Sequence, residues 1–460
     1  FLAGVLDGFE PVRVVSDIAL QPRWSEPRRV SGQYPALGGE TQNKSIVNVG
    51  WMMMENTDYE WVIILRVLSE ALVGNAAGPL RKALIDSGLG EDLTPATGLE
   101  DDLRQLVFAA GLRGCAAGSG EKIESLIMET LKETVRKGFD RELIEGSLHQ
   151  IEFRGREIVR TNFPYSIALM QRAYHTWLYG GDPLVGLRFP ETVGEIRSKW
   201  SREPRLFERA LEKCFLENPH RVLSVLEPSS SYIEEMDKSL AKAMQEKRSG
   251  MSRQEIARIR DEAEELKKLQ SEPDTPEALA TLPRLTRDDI PRQVERIPAE
   301  SRTLDGVETC CHEIFANGIA YLDLAFDISD LQEADQMFLP LVGKLRAGMG
   351  AAGLDYIDTA KRKTLKTGGV RYALASGLNA DGKGDWQKII FRVRMLHRDI
   401  PEAVGLLGDL LLEGDLSDAG RIRDLLFEAR NKLHSSVIPG GHMFARRTAA
   451  ANISVPAYRD

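Results

Sequence analysis

Residues 229–271 constrain this chain more than any other stretch. Charge there is dense and of both signs, aromatic side chains nearly vanish, and glycine appears once, at Gly250. Ser252-Arg-Gln-Glu255 has the spacing of a capping box, in which a serine hydroxyl and a glutamate reciprocally satisfy the free amides of a helix start. Such a segment has too little apolar surface to sit inside a core. Mixed charge along helices normally marks solvated faces. The pattern predicts a helical hairpin turning at Ser249-Gly250, a charged arm that does no chemistry. Pro273, Pro276, Pro283, Pro291 and Pro298 follow as a spaced linker. The chain is thereby cut into two flanks that must each fold around apolar surface of their own.

The first flank opens with a Pro-, Gly- and Arg-rich connector over residues 1–45, expected to hold short strands. Lys44–Met54 reads as a strand, apolar on both faces towards its end. Thr57-Asp-Tyr-Glu60 reads as a capping box before a helix with Trp61, Ile64, Leu65, Leu68 and Leu72 on one face. Pro79 opens a short helix to Asp86, closed by Gly88. Gln105–Gly111 is a candidate strand, and a Gly/Ala-rich turn runs through Gly114–Gly120. Further helices are expected over Glu121–Lys137, with Gly138 as its C-cap, from Asp140 to about Arg160, over Pro164–Tyr179 and over Val193–Phe215. Arg221–Leu226 returns as a strand. The second flank repeats the order: strand Ala320–Phe326, helices Glu333–Met349 and Asp355–Thr367, strands Val370–Ser376 and Trp386–Met395 around the Asn379–Asp385 hairpin, then helices Ile400–Leu412 and Leu416–Ser436. Strands, helices and a returning strand make each flank an α+β sandwich, alike in pattern but without a repeat in sequence.

The 460 residues suggest about three domains. A net charge of −9 argues against a nucleic-acid binder, which carries a basic patch. Cys115, Cys214, Cys310 and Cys311 show no CxxC spacing, so a disulfide framework is excluded and a reducing compartment fits. No window approaches the ~18 uninterrupted apolar residues of a membrane span, and no basic segment precedes an apolar stretch as in a secretory signal. Because the chain starts at Phe1 rather than Met, it reads as a piece of something longer.

Hydrolytic zinc needs two or three histidine or carboxylate ligands and an open position for water. Among the seven histidines none forms His-Glu-x-x-His or its inverse, His-x-x-Glu-His. The nearest approach is His149-Gln-Ile-Glu152-Phe153, where phenylalanine takes the place of the second histidine; His149 is expected to be a surface or partly packed residue. Cys310-Cys311-His312-Glu313 looks metal-like, but vicinal cysteines do not readily face one ion, and the residues are expected in a strand beside a turn. Gly114–Lys122 resembles a phosphate loop, but Glu121 precedes the lysine and no Ser or Thr follows, so it is read as a strand-to-helix turn. No Gly-x-Ser-x-Gly elbow is present. No residue is therefore assigned a catalytic, cofactor-binding or metal-ligating role.

Longer stretches carry a resemblance. Gly74–Gly90, Ile151-Glu-Phe153 with Arg156-Glu157, Trp177-Leu-Tyr179 with Asp182-Pro183, and Asn218-Pro-His-Arg221 are similar to segments of the presequence protease and falcilysin-type branch of the pitrilysin (insulinase-like) zinc metallopeptidases. So are Leu282–Leu285 with Asp289–Pro291, Asn317–Asp327, Thr367-Gly-Gly369, and Gly441-His442 with Ala445 and Arg447, in order along nearly the whole chain. The resemblance implies two homologous metallopeptidase-like α/β sandwich domains, each an antiparallel sheet packed with helices, joined by a long helical hairpin. On that template residues 1–228 are the second of four domains with its connector, 229–299 the hairpin and linker, 300–445 the third domain, and 446–460 the lead-in to a missing fourth. It implies a parent zinc metalloendopeptidase that degrades unstructured peptides in a closed chamber, with this segment as non-catalytic wall and hinge, inactive alone. The zinc ligands would lie in a preceding domain outside this chain, and the segment itself would bind none. Ile85 and Glu91 stand roughly where the family's fourth domain has its substrate-holding Arg and Tyr, and Leu341–Leu345 stands where the zinc helix would be. Implied partners are peptide substrates and the missing domains of the same polypeptide, not nucleic acid or membrane. The implied compartment is the cytoplasm for a bacterial-type protein, or a mitochondrial or plastid matrix for a eukaryotic one. A scaffold or peptide-binding protein of the same fold is the alternative.

Overall fold

The computed structural model describes residues 7–10, 12, 14–36, 41–159, 164–293 and 296–459. It is an α+β protein with antiparallel sheets, as expected. In the first lobe the elements are β1 (Arg28–Pro35), β2 (Ser45–Glu55), α1 (Tyr59–Val73), α2 (Pro79–Asp86), β3 (Asp92–Leu93), β4 (Gly98–Glu100), β5 (Gln105–Cys115), α3 (Gly120–Lys137), α4 (Arg141–Arg156), α5 (Tyr165–Trp177), α6 (Phe189–Arg202), α7 (Leu206–Leu211) and β6 (Arg221–Ser229). The sheet runs β1-β6-β2-β5-β3, with β4 also on β5. Along β2 every second side chain, Val47, Val49, Trp51 and Met53, is buried against the helices. Trp51 lies opposite Phe108 on β5. Its indole N–H donates to the Phe215 carbonyl (3.1 Å), which satisfies the one polar atom of a wholly buried ring. At Gly111 a Cβ would stand 1.9 Å from the Val47 carbonyl, so the close approach of β5 to β2 requires glycine there.

Several local expectations shift. Helix α1 is capped by Asp58, whose carboxylate accepts from the Trp61 amide (3.5 Å), so Thr57 falls in the preceding turn and the expected capping box is absent. Val62, Ile63 and Val67 are as buried as Ile64, Leu65 and Leu68: the helix is buried around most of its circumference, and its polar residues Arg66, Ser69 and Glu70 share the remaining face. The helix expected over Val193–Phe215 starts earlier, at Phe189, and breaks after Arg202, because Pro204 disfavours helical backbone at the residue before it. Likewise Glu333–Met349 divides in two, with Pro340 in the first turn of the second piece, where its missing N–H costs nothing. The helix from Asp140 ends at Arg156; its expected terminus at Arg160 lies outside the described residues.

The second lobe comprises strand Ile319–Asp327, helices Glu333–Gln336 and Leu339–Gly348, the two-residue strand Gly350–Ala351, helix Tyr356–Lys366, strands Val370–Leu378 and Asp385–Leu396, helix Ile400–Leu412, strand Gly414–Asp415, and helices Ala419–Val437, Gly441–Ala451 and Val455–Arg459. Its three-stranded sheet has Asp385–Leu396 in the centre, with Phe391 opposite Tyr372 on one side and Leu324 on the other. Val393, Ala403 and Leu407 fill the core between that strand and helix Ile400–Leu412. The last residues fold back onto this lobe, where the Ser376 hydroxyl donates to the Pro456 carbonyl (3.0 Å).

Both lobes belong to one compact unit, formed by the described residues of Phe1–Gly32, Thr41–Pro228 and Ala316–Asp460. A second unit takes in Gln33–Glu40 and Ser229–Phe315. It contains the expected hairpin, Tyr232–Ser249 and Arg253–Ser271, turning at Gly250. The capping box is present: the Ser252 amide donates to Glu255 (2.8 Å) and the Glu255 amide to the Ser252 hydroxyl (3.2 Å). Neither helix has a buried residue. The strands Glu300–Leu304 and Val307–Cys311 pair antiparallel in this unit.

Candidate functional site

The residues that come nearest to a zinc motif lie on α4, and the fold uses them to join the two lobes. Burial pulls the His149 imidazole below its ordinary value, against the Asp399 carboxylate beside it, so it is neutral at pH 7. Its Nε2–H donates to Asp399 Oδ2 (3.2 Å), and only 4% of the residue is exposed: it is neither a surface nor a partly packed histidine. One turn on, Glu152 accepts two bonds from Arg398 (3.1 and 2.9 Å) and pairs with Arg156 (3.1 Å) and, more distantly, Arg197. Phe153 packs with Ile319 and Leu396 of the second lobe. Gln150 Nε2 donates to the carbonyls of Thr364 and Thr367, and Arg394 makes two bonds to Glu157 (2.6 and 2.8 Å). At Gly368 a Cβ would fall 2.1 Å from the Phe153 ring, so the ring occupies the space a side chain would need. The groups a metal would require on this helix are taken up by packing and ion pairs. Of its metal-ligand atoms, His149 Nδ1 alone has no partner among the described residues. One nitrogen is too few for catalytic zinc, and the set does not fit it.

The Glu152 carboxyl makes a testable contribution. Burial raises its pKa, but Arg398 and then Arg156 and Arg197 prevail and hold it below the ordinary 4.5. A carboxylate depressed in the folded state adds stability above its unfolded pKa and loses it as pH falls through the lower folded value. Glu152→Gln is therefore expected to destabilise the chain at pH 7 and to flatten the loss of stability between about pH 5 and pH 3. Urea midpoints of both proteins across that range check it; parallel acid limbs would refute it.

The other sequence candidates are dispersed. Cys310 and His312 sit on and beside the strand Val307–Cys311, with Sγ 3.5 Å from Nε2, both exposed. The Gly-rich segment is a turn: Gly114 and Gly118 take positive φ, and α3 begins at Gly120. Ile85, Glu91, Ser119 and Lys122 border one depression of about 500 Å³. Leu341–Leu345 lies within helix Leu339–Gly348, whose only charged side chains are Lys344 and Arg346, neither of them a zinc ligand.

One grouping has no signature in sequence. Asp101 and Asp102, just beyond β4, meet His175 of α5 at a cleft of about 790 Å³ that Tyr59, Arg66 and Glu70 of α1 also line. Among the described residues only these three could together hold a metal ion. Burial raises the Asp101 pKa, but the His175 imidazole and the Arg66 guanidinium beside it bring it down to about 2. Arg66 Nε donates to Asp101 Oδ2 (2.5 Å), and the Asn56 amide holds the His175 carbonyl (2.7 Å). Asp102 and His175 stand too far apart along the chain for any short metal motif, so only the fold reveals the grouping.

Comparison with known proteins gives consistent matches. The family described as associated with peptidases of family M16, subfamily C, matches residues 226–459. Presequence protease 1, chloroplastic/mitochondrial, of Arabidopsis thaliana is 32% identical over 98% of the chain and 43% of its own length. Protein HypA of Clostridium perfringens is 27% identical over 96% and 45%, and the mitochondrial presequence protease of Danio rerio 26% over 98% and 44%. The chain spans less than half the length of these relatives. Among solved structures, pitrilysin matches with a TM-score of 0.43 at 11% identity, over 89% of this chain and 40% of that one. No helix among the described residues is long and apolar enough to cross a membrane.

Proposed function

We propose, from the premise that this chain belongs to the subfamily C-associated family of the M16 peptidases, the presequence protease-like branch of the pitrilysin-type metallopeptidases, that it is the central non-catalytic portion of a zinc metalloendopeptidase acting on unstructured peptides. The observation that carries the non-catalytic reading is the fate of α4. His149, Glu152 and Phe153 are all taken up by the seam between the lobes, and Glu152 is held as an ion-pair anchor rather than left free as a base. The zinc and its ligands then belong to residues outside this chain. There the metal would lower the pKa of a bound water to about 7 and polarise the scissile carbonyl. This portion would supply wall and hinge to a substrate chamber, and closure would gate entry of peptides. The buried seam between the lobes suits a wall, and a hairpin without buried residues followed by a proline-spaced linker suits a solvated connection from one lobe to the other.

In the intact parent, Glu152→Gln should lower stability but leave kcat/KM of the folded enzyme within about threefold, since a lost catalytic base costs on the order of a hundredfold or more. A loss of that size with the fold and zinc content intact would overturn the reading.

A further inference from the structure

We propose that Asp101, Asp102 and His175 form a binding site for a first-row divalent cation, zinc foremost. The imidazole is the observation that points to a ligand. The His175 side chain is 6% exposed, and neither ring nitrogen has a hydrogen-bond partner among the described residues. A buried ring in that state forfeits bonds it would have in water, a cost native structures seldom leave without compensation. Nε2 points between two carboxylates, 3.7 Å from Asp101 Oδ1 and 3.9 Å from Asp102 Oδ1, too far for hydrogen bonds. All three ligand atoms lie within 4.8 Å of one another. Atoms about 2.1 Å from a tetrahedral zinc stand about 3.4 Å apart, so the two distances from Nε2 would close by about half an ångström or less and the carboxylate oxygens would approach each other by at most about 1.4 Å, a shift the exposed Asp102 side chain can make.

The surroundings suit a cation despite three arginines at the cleft. Arg66 binds the other oxygen of Asp101, Oδ2, Arg154 is paired with Glu70 (2.7 Å), and Arg172 donates to the Gly155 carbonyl (2.9 Å). A ligating carboxylate whose second oxygen is held by a hydrogen bond is the usual outer-shell support of a metal. One nitrogen and two oxygens favour zinc and its first-row neighbours over magnesium or calcium, which prefer all-oxygen shells. Asp102 is 85% exposed, leaving room for water to complete the coordination. The ion would tie α5 to the segment joining β4 and β5.

The test is calorimetric titration of the chelator-stripped 460-residue chain with zinc chloride, repeated with cobalt chloride while following visible absorption. One site is expected, weakened at least tenfold by Asp102→Ala and by His175→Gln, with cobalt bands that both substitutions abolish. Because Asp102 is exposed, its variant keeps the fold, as circular dichroism can verify, and carries the test if His175→Gln does not fold. Absence of binding overturns the proposal, as does binding that Asp102→Ala leaves unchanged, which would place the ion elsewhere, for instance at Cys310 and His312. The outcome is independent of peptidase activity and so of the function proposed above.

Discussion

Phe153→His, which turns the stretch beginning at His149 into an inverted His-x-x-Glu-His sequence, is expected to destabilise the chain by about 3 kcal/mol or more and to confer no zinc peptidase activity. The Phe153 ring is 1% exposed, packs with Ile319 and Leu396, and lies against Gly368, with the Arg394 guanidinium 5.4 Å from its centre. Truncating a buried phenylalanine costs about 3–5 kcal/mol. Histidine restores part of the volume but buries polar nitrogens where Arg394 offers only donors, so desolvation adds to the loss. The new imidazole would also meet a single free ligand atom, His149 Nδ1, because His149 Nε2–H is held by Asp399 and Glu152 by Arg398. Urea denaturation measures the loss, and metal analysis of the folded variant measures zinc. A variant as stable as the parent sequence, or one that binds zinc through this helix and hydrolyses peptide, would contradict the seam assignment.

Arg394→Ala is expected to cost about 3–5 kcal/mol, the range for removing one partner of a buried ion pair. The side chains of Arg394 and Glu157 are 13% and 12% exposed, and the pair bridges the second-lobe strand Asp385–Leu396 to the end of α4. Arg394 also donates to the Gly368 carbonyl, so its loss leaves the Glu157 carboxylate with only the long bond from the Tyr321 hydroxyl (3.4 Å) and the Gly368 carbonyl without its donor. Replacing both members by apolar residues, Arg394→Met with Glu157→Leu, should recover most of the loss, since the penalty comes mainly from the uncompensated charge. The double-mutant cycle should therefore show coupling well above about 1 kcal/mol. Additive effects would mean that the pair behaves as an exposed one and that the lobes are held by packing alone.

How much of this is legible in the sequence depends on the range of the interactions. The hairpin is legible because helix caps, charge density and a lone glycine act within a few residues of one another, and Ser252 with Glu255 makes the bonds their spacing announces. The strands Ser45–Glu55 and Asp385–Leu396 show in their apolar runs. The helix breaks at Pro204 and Pro340 escape a reading that lets apolar periodicity run through a proline. The short strands Asp92–Leu93 and Gly98–Glu100 escape it because two or three residues give no alternation to detect. The burial of His149 is unreadable because its partner, Asp399, is 250 residues away. The grouping of Asp101, Asp102 and His175 is unreadable for the same reason. Local rules announce caps, turns and faces; only tertiary structure decides which distant charges meet.

Incubation of the purified 460-residue chain with an unstructured peptide and added zinc, with and without a chelator, tests the non-catalytic assignment most directly. The account predicts no cleavage under either condition, even if zinc is bound at Asp101, Asp102 and His175. Chelator-sensitive cleavage that Glu152→Gln or Asp102→Ala abolishes while the fold is retained would contradict it.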